Sequence, residues 1–423
     1  MLHLNTLLQR FPELQEHSVA PPALRPFAGI DQAEREISHA CSRSRVPLAF
    51  ALLGNVMVRK GRYVDALEAY RTAADLDPSD ARASWACAEI AHVLADDDTS
   101  RTYRARALAR QRVYADPLPV GTRTPVLLVL RDAAYAENTP LELLLDRSRV
   151  AVHKYYVEGD APTPLPPYAV AITAFGSAHG ARAATARARA FIAGTPAAIN
   201  DPGRLECVAR ESLATTLDAI DGVVVAETSI VERAQAHAIA LPALLRPVDT
   251  HAGDGFAFLT TVDALRMHLE RFPAPRYYRS NFVETRDSSG LYRKFRAIFV
   301  DGVAYPYHLA VAPQWMVHYQ SSPMRESPEL RRAEQAFLDA PQRFVVRWDE
   351  IMPKIAHAVG LEYFGIDAAV LPDGRVVIFE ADAAMLVHDE NADDVFAYKR
   401  PYVARIREAL HALITDRTRR GMR

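Results

Sequence analysis

The chain has 423 residues, of which 49% are hydrophobic and 24% charged, and its formal net charge is −2. That is the composition of a soluble globular protein of two or three domains, and it excludes a disordered or fibrous chain. No charge imbalance points to nucleic acid or to an anionic membrane, and no run of about 18 apolar residues is present that would cross one.

The N-terminal stretch "MLHLNTLLQRFPEL" has no basic region followed by a long apolar run and a small-residue cleavage site, so the expected compartment is the cytoplasm. Cys41, Cys87 and Cys207 lie far apart without CxxC spacing, which suggests neither a disulfide framework nor a zinc site. They read as small core residues. The basic tail "TDRTRRGMR" reads as a solvated end.

Residues 47–80 show helical periodicity in two stretches broken near Lys60-Gly61. Leu53, Gly54, Gly61, Tyr63, Ala66, Tyr70, Ala73 and Pro78 fall at the spacings of one 34-residue tetratricopeptide repeat, which the segment resembles. Gly54, Ala66 and Ala73 let two antiparallel helices approach, Tyr70 fills the gap between them, and Pro78 ends the second helix. Residues 81–116 are helical but match the repeat poorly, and residues 1–46 hardly match it. One repeat cannot stand alone, so an all-α domain over 1–120 is expected, with this repeat as one layer. It serves either to dock a peptide or protein partner or as a packing or dimerisation element.

From Pro125 the texture changes to "PVLLVLR", "RVAVHKYYV" and "YAVAITAFG", then an Ala/Arg helix over 181–193 and "AAINDP". Such alternation implies a mixed or parallel sheet flanked by helices.

Two hairpins carry the chemistry. In "YFGIDAAVLPDGRVVIFEADAAM", 363–385, two apolar runs meet at Asp373-Gly374, a two-residue hairpin signal. Counting back from such a loop places Asp367 opposite Glu380, with Asp382 projecting from the same face beside Ala369, Leu371, Val376 and Ile378. Three convergent carboxylates on an apolar face call for a cation, and hard oxygen ligands suit magnesium or manganese with substrate phosphates completing the shell. The alternative is an acidic cluster at a sheet edge, satisfied by Arg or Lys. In "YRKFRAIFVDGVAYPYHLAV", 292–311, the turn falls at Asp301-Gly302. Lys294 and Arg296 then share a face with Ile298, joined by Tyr305 and Tyr307 from the partner strand. A phosphate would satisfy both cations; the alternative is a cross-strand ion pair or a solvated face.

In this order the two hairpins resemble the C-terminal half of the ATP-grasp superfamily, with Arg296, Asp367 and the pair Glu380 and Asp382 at the matching positions. Asp382 stands where the family usually has Asn. The resemblance covers roughly 124–415. It implies an α+β ATP-grasp fold: a pre-ATP-grasp α/β subdomain over 124–204, a central ATP-binding lobe over 205–290 and a metal-bearing C-terminal lobe over 291–423. "AAINDPGRLECVARESLATTL" is similar to the stretch leading to the first nucleotide-binding cation, with Arg210 in its place. "PALLRPVDTHAGDGFAFL" is similar to the lysine strand and glycine-rich phosphate loop, with Arg246 for Lys and with Gly253 and Gly255 as permissive backbone. "YYRSNFVET" resembles the hinge that holds adenine around Phe282 and Val283, with Glu284 as the ribose acceptor.

The function so implied is an ATP-dependent carboxylate ligase working through an acyl phosphate, in peptide or specialised-metabolite assembly. Asp367, Glu380 and Asp382 would hold one or two magnesium ions, with manganese the other candidate. Arg296 would stabilise the transferring phosphoryl group, and Lys294 is a second candidate for that task. His308 or His318, in "YPYHLAVAPQWMVHYQ", would orient an acceptor or take its proton, and His388 lies just past the metal strand. The rival readings are a kinase of the same fold and a nucleotide-sensing binding module. Expected partners are ATP, a small-molecule or peptide carboxylate, a nucleophile, and a peptide or protein on the helical domain, with no nucleic acid and no membrane. The reading leaves open a homodimer.

Overall fold

The computed structural model describes residues 26–116, 120–133, 137–159, 164–176, 181–248, 250, 253, 255–319, 321–388 and 395–421. The first 25 residues of the expected helical domain, and with them the N-terminal stretch read for a targeting signal, lie outside the described residues. Two compact units divide the chain: Met1–Phe175 with Gly194–Ala197, and Gly176–Ala193 with Ala198–Arg423.

Among the described residues the first unit opens with five helices, α1 (Ile30–Arg43), α2 (Pro47–Arg59), α3 (Tyr63–Leu76), α4 (Ala81–Val93) and α5 (Asp97–Leu108), each packed on the next. The break between α2 and α3 falls at Lys60 and Gly61, whose φ of +70° suits a residue without a Cβ. A Cβ on Gly54 would stand 2.5 Å from the Tyr70 ring, so the two helices meet where Gly54 leaves room for that ring. The Tyr70 hydroxyl donates to Asn55 Oδ1 at 2.6 Å, which satisfies both groups inside the core. Asp80 and Asp96 cap α4 and α5 by accepting from the Arg82 and Thr99 amides. All three cysteines are free, but only Cys87 is buried; Cys41 and Cys207 are partly exposed, so the expectation of three core cysteines holds for one.

Strands β1 (Val113–Tyr114), β2 (Thr124–Leu130), β3 (Val150–Tyr156) and β4 (Val170–Thr173) follow, in the order β1-β3-β2-β4. β2 runs parallel to both neighbours, with Leu128 beside Lys154 and Ile172. It is buried from Val126 to Leu130, the continuous apolar run of a strand covered on both faces. Trp85 of α4 rests on Tyr156 of β3 with ring centroids 4.4 Å apart.

The second unit holds α6 (Arg182–Ile192) and two sheets. The smaller has the order β6-β9-β7-β8 and is antiparallel throughout: β6 (Thr228–Glu232), β9 (Arg276–Ser280), β7 (Ala243–Pro247) and β8 (Ala257–Leu259). Helix α7 (Leu213–Leu217) lies ahead of it in the chain, and α8 (Val262–Arg271) packs Leu265 and Leu269 against Tyr277 and Leu245. The larger has the order β11-β10-β12-β13-β5: β11 (Val303–Ala312), β10 (Tyr292–Val300), β12 (Tyr363–Val370), β13 (Val376–Asp382) and β5 (Val223–Val225). Only β13 and β5 pair in parallel. Helices α9 (Pro328–Asp339), α10 (Trp348–Val359) and α11 (Arg400–Gly421) accompany this sheet, with Phe337, Ile355 and Ile406 fully buried. Among the described residues no helix is long and apolar enough to cross a membrane.

Gly54→Ala is expected to destabilise the first unit by about 1–3 kcal/mol, because the added methyl overlaps the Tyr70 ring inside a packed core. Gly54→Ala with Tyr70→Leu should recover part of that loss in a thermal or urea melt. A Gly54→Ala melt equal to that of the unchanged protein would contradict the packing.

Candidate nucleotide site

Each hairpin delivers its charged side chains through a compensation the turn signal alone does not contain. At Asp301 and Gly302, φ is +48° and +82°, and Val300 pairs with Val303, so this is the expected two-residue loop. A one-residue bulge at Tyr307 then shifts the register. His308, and not Tyr307 as expected, stands opposite Arg296.

At the second hairpin the Gly374 amide donates to Leu371 O and the Leu371 amide to Arg375 O. The loop is therefore Pro372-Asp373-Gly374, three residues long and one longer than expected, and Val370 pairs with Val376. A bulge at Phe379 restores the count, so Asp367 does face Glu380. The two offsets cancel at the carboxylates but not before them. Val376 and Ile378 pair with Val370 and Ala368 and so point to the face away from Asp367, which corrects the expectation that they surround the acidic groups.

The three carboxylates have three different environments. Lys294 Nζ donates to Asp367 Oδ2 at 2.8 Å, while Arg296 donates through Nε to Oδ1 at 2.6 Å and through Nη2 to Oδ2 at 3.0 Å. Burial works to raise the Asp367 carboxyl, but the Arg296 and Lys294 charges outweigh it and hold the group well below the ordinary range. Glu380 accepts from Arg210 Nη2; burial opposes its ionisation and the Arg210 charge prevails, so its pKa is lowered. Asp382 accepts from the Ala384 amide at 2.9 Å and pairs with no cation among the described residues. Burial, and then the charge of Glu380, push its carboxyl up to about 6. Its Oδ1 lies against the main chain of Gly176, where a Cβ would come within 2.4 Å.

Among the described residues no group of three His, Cys, Asp or Glu side chains is placed to hold a metal ion. The cause is that neighbouring strands supply Lys294 and Arg296 to Asp367, and the segment before α7 supplies Arg210 to Glu380. The donor chemistry still fits a hard divalent cation. The Glu380 charge adds to the cost of ionising Asp382, and the more distant Arg210 and Arg296 charges offset it only in part.

A cavity of about 340 Å³ in the second unit gathers most of the expected residues: Arg210, Arg246, Gly253, Phe282, Val283, Lys294, Arg296, His318, Asp367 and Glu380 line it. Arg246 is turned onto Thr250, donating to its Oγ1 at 3.1 Å and to its carbonyl. The cavity also has an aromatic wall that the sequence reading largely missed. Phe256, Phe282 and Trp315 line the cavity: Trp315 stands edge-on to Phe256 at 5.3 Å and to Phe282 at 5.9 Å, while Phe258, off the lining, stacks on Phe282 with centroids 4.2 Å apart. Of these, only Phe282 and Trp315 attracted notice in the sequence; Phe258 is an ordinary strand residue until its partner is placed.

Five expected residues lie off the cavity lining. Gly255, at φ +59°, fits against Pro247, where a Cβ would come within 2.7 Å. Glu284 is exposed and accepts from the Arg286 amide at 2.9 Å. His308 is buried and stacked on Tyr319 at 4.8 Å; burial, and then the Arg296 charge, hold its pKa well below the ordinary value. The His388 amide donates to the Tyr307 hydroxyl at 3.2 Å. Asp382 sits against Gly176, as described. Glu334 was missed altogether: fully buried, it accepts from the Tyr319 hydroxyl at 2.8 Å, from the Leu309 amide at 3.1 Å and from the Tyr398 hydroxyl. Lys399 pairs with it at 3.4 Å.

Residues 54–92 match the family model of the TPR repeat. No curated protein matches the chain. The structure is similar to that of the RimK domain protein ATP-grasp from Sphaerobacter thermophilus, at 15% identity over 68% of this chain and 98% of the other, with a TM-score of 0.39. It is similar also to D-alanyl-alanine synthetase A from Vibrio cholerae (12% identity, 70% and 99% covered, TM-score 0.46) and to the D-alanine-D-alanine ligase from Coxiella burnetii (10%, 71% and 96%, TM-score 0.44). A TPR-like helical region thus precedes the α+β sheets in the chain.

Asp367→Asn is expected to cost about 3–5 kcal/mol of stability, because it leaves Lys294 and Arg296 without their buried counter-charge. The pH dependence has a definite sign. A carboxyl whose folded pKa is depressed stabilises the fold above its unfolded pKa of about 3.9 and loses that contribution as pH falls below it. Denaturant melts from pH 7 to 2.5 should therefore show a steeper loss at the acid end for the unchanged protein than for Asp367→Asn. Parallel curves would contradict the assignment.

Proposed function

We propose that the second unit binds ATP in this cavity and uses it, with a divalent metal, to phosphorylate a substrate carboxylate, which a nucleophile then attacks. The observation that carries this reading is the composition of one cavity of about 340 Å³, whose lining includes Arg210, Arg246, Lys294 and Arg296 together with Phe256, Phe282 and Trp315. Several cations within a few residues of stacked rings match a triphosphate joined to a flat base, and a plain hydrophobic ligand would leave the cations unused.

On this reading Phe256, Phe282 and Trp315 enclose the base, with the Phe282 and Val283 main chain at its edge. Arg210 and Arg246 grip phosphate oxygens bidentately, as Arg does and Lys does not. Arg296 lies at the transferring phosphoryl group, where its charge stabilises the developing negative charge, and Lys294 stands beside it. Glu380 and Asp382, joined by Asp367 once ATP draws Lys294 and Arg296 away from it, would hold magnesium or manganese, which would supply charge neutralisation to the phosphates. Arg210, Lys294 and Arg296 already carry carboxylate partners, so ATP enters by exchanging protein carboxylates for phosphates. The Arg cations thus remain neutralised in both states. The first unit, with its TPR-like helices, recruits the peptide or protein that bears a substrate.

The test is ADP formation in the presence of magnesium, ATP and pooled carboxylates and amines, with the product mass determined. ADP together with a condensed product is the expected result; a stable phosphorylated product would make the chain a kinase, and no nucleotide turnover would overturn the proposal. Arg296→Ala should lower turnover about 10²–10³-fold while changing ATP affinity much less. Equal losses in turnover and affinity would reduce Arg296 to a binding residue.

A further inference from the structure

Two histidines lie near the phosphoryl end of the cavity, and their surroundings separate them. His308, on β11 opposite Arg296, is enclosed by the stack on Tyr319 and is not among the cavity's lining residues. His318 lines the cavity. Its Nε2 is buried and finds no hydrogen-bond partner among the described residues, and a Cβ on Gly253 would come within 2.7 Å of it.

The ring is also held in place from behind. The His318 carbonyl accepts from the Ser322 amide at 2.9 Å and from the Ser322 hydroxyl at 2.8 Å. The next residue, Tyr319, is tied to the fully buried Glu334 at 2.8 Å. The main chain is thus held at His318 and at the residue after it, which steadies the ring. At position 253 the φ of +83° and the closeness of Nε2 both demand glycine.

We propose that His318 is the catalytic residue that takes the proton of the attacking amine. The inference rests on the ligase reading given above, taken with an amine as nucleophile, and adds to it the residue that takes the proton. An unpaired buried imidazole nitrogen costs about 1–3 kcal/mol, which an N–H donor of the substrate would recover. Burial, and then the Lys294 and Arg246 charges against those of Asp367 and Glu380, leave His318 with a lowered pKa, so it is neutral and can accept.

In the step itself the amine lone pair forms the C–N bond at the acyl-phosphate carbon, and the N–H proton passes to Nε2. The tetrahedral species then collapses, the C–O bond to the phosphoryl group breaks, and inorganic phosphate leaves with that electron pair. ADP has already departed with the pair from the broken Pγ–O bond. Atoms and charges balance as carboxylate, ATP and ammonium giving amide, ADP, phosphate and a proton.

The two half-reactions separate the outcomes. Acyl phosphate is trapped as a hydroxamate by hydroxylamine, and condensation is followed with the amine found in the pooled screen. His318→Gln should form hydroxamate within about threefold of the unchanged rate and lose condensation about 10²–10⁴-fold. Imidazole should restore part of the condensation rate to His318→Ala. Gly253→Ala, which displaces the ring, should lose condensation more than hydroxamate formation. Condensation within threefold of normal in His318→Gln overturns the inference, as does an equal loss of both half-reactions. If His318→Gln does not fold, His318→Ala decides by its imidazole rescue, and no rescue there overturns the assignment. Absence of hydroxamate from the unchanged protein is a different failure, that of the ligase reading itself.

Discussion

The second unit depends on how it places charge inside a sheet that is otherwise apolar. Arg296 and Lys294 on β10 and Asp367 on β12 form a tight three-member cluster, and the sheet around them buries Phe299, Ile366 and Ile378 completely. A lone ion at that depth would be several kcal/mol too costly to keep. The cluster therefore fixes the register of the central strands, because a one-residue slip would separate all three partners. It also leaves Asp382 as the acidic group with no cation, which concentrates the uncompensated negative charge at one end of β13.

This arrangement links stability to ligand entry. Carboxylates that neutralise arginines in the absence of ligand are competitors for the same arginines when a phosphate arrives. A cavity lined with paired ions is thereby kept from collapsing around unpaired ones, and the exchange of one anion for another needs little rearrangement of the strands. The aromatic wall behaves differently. Phe256, Phe282 and Trp315 contribute shape and apolar surface, and they come from just before β8, the segment after β9 and the segment after β11. The site is thus assembled from both sheets of the second unit.

Much of this was legible from the residues because the signals were local. Gly54 and Tyr70 announced a helix pair through small-against-large spacing, and the Asp301-Gly302 turn formed as its type requires. The pairing of Asp367 with Glu380 was reached by counting, yet the count succeeded only because a longer loop and a bulge at Phe379 cancel. Bulges have no dependable signature in one sequence, which is why His308 took the place expected for Tyr307 opposite Arg296 and why the apolar neighbours of the carboxylates were assigned to the wrong face. Pairings across long separations were equally hidden. Arg210 and Glu380 are 170 positions apart, and Glu334 meets Tyr319 and Tyr398 from three separate segments. Each of these residues alone reads as an ordinary surface or core choice.

The most direct test of the account is a crystal structure of the chain with a non-hydrolysable ATP analogue and magnesium. The expected result is the base among Phe256, Phe282 and Trp315, the phosphates against Arg210, Arg246, Lys294 and Arg296, and the Arg210 contact to Glu380 broken or lengthened. An empty cavity with the Asp367 and Glu380 ion pairs intact, or a nucleotide bound elsewhere on the chain, would contradict it.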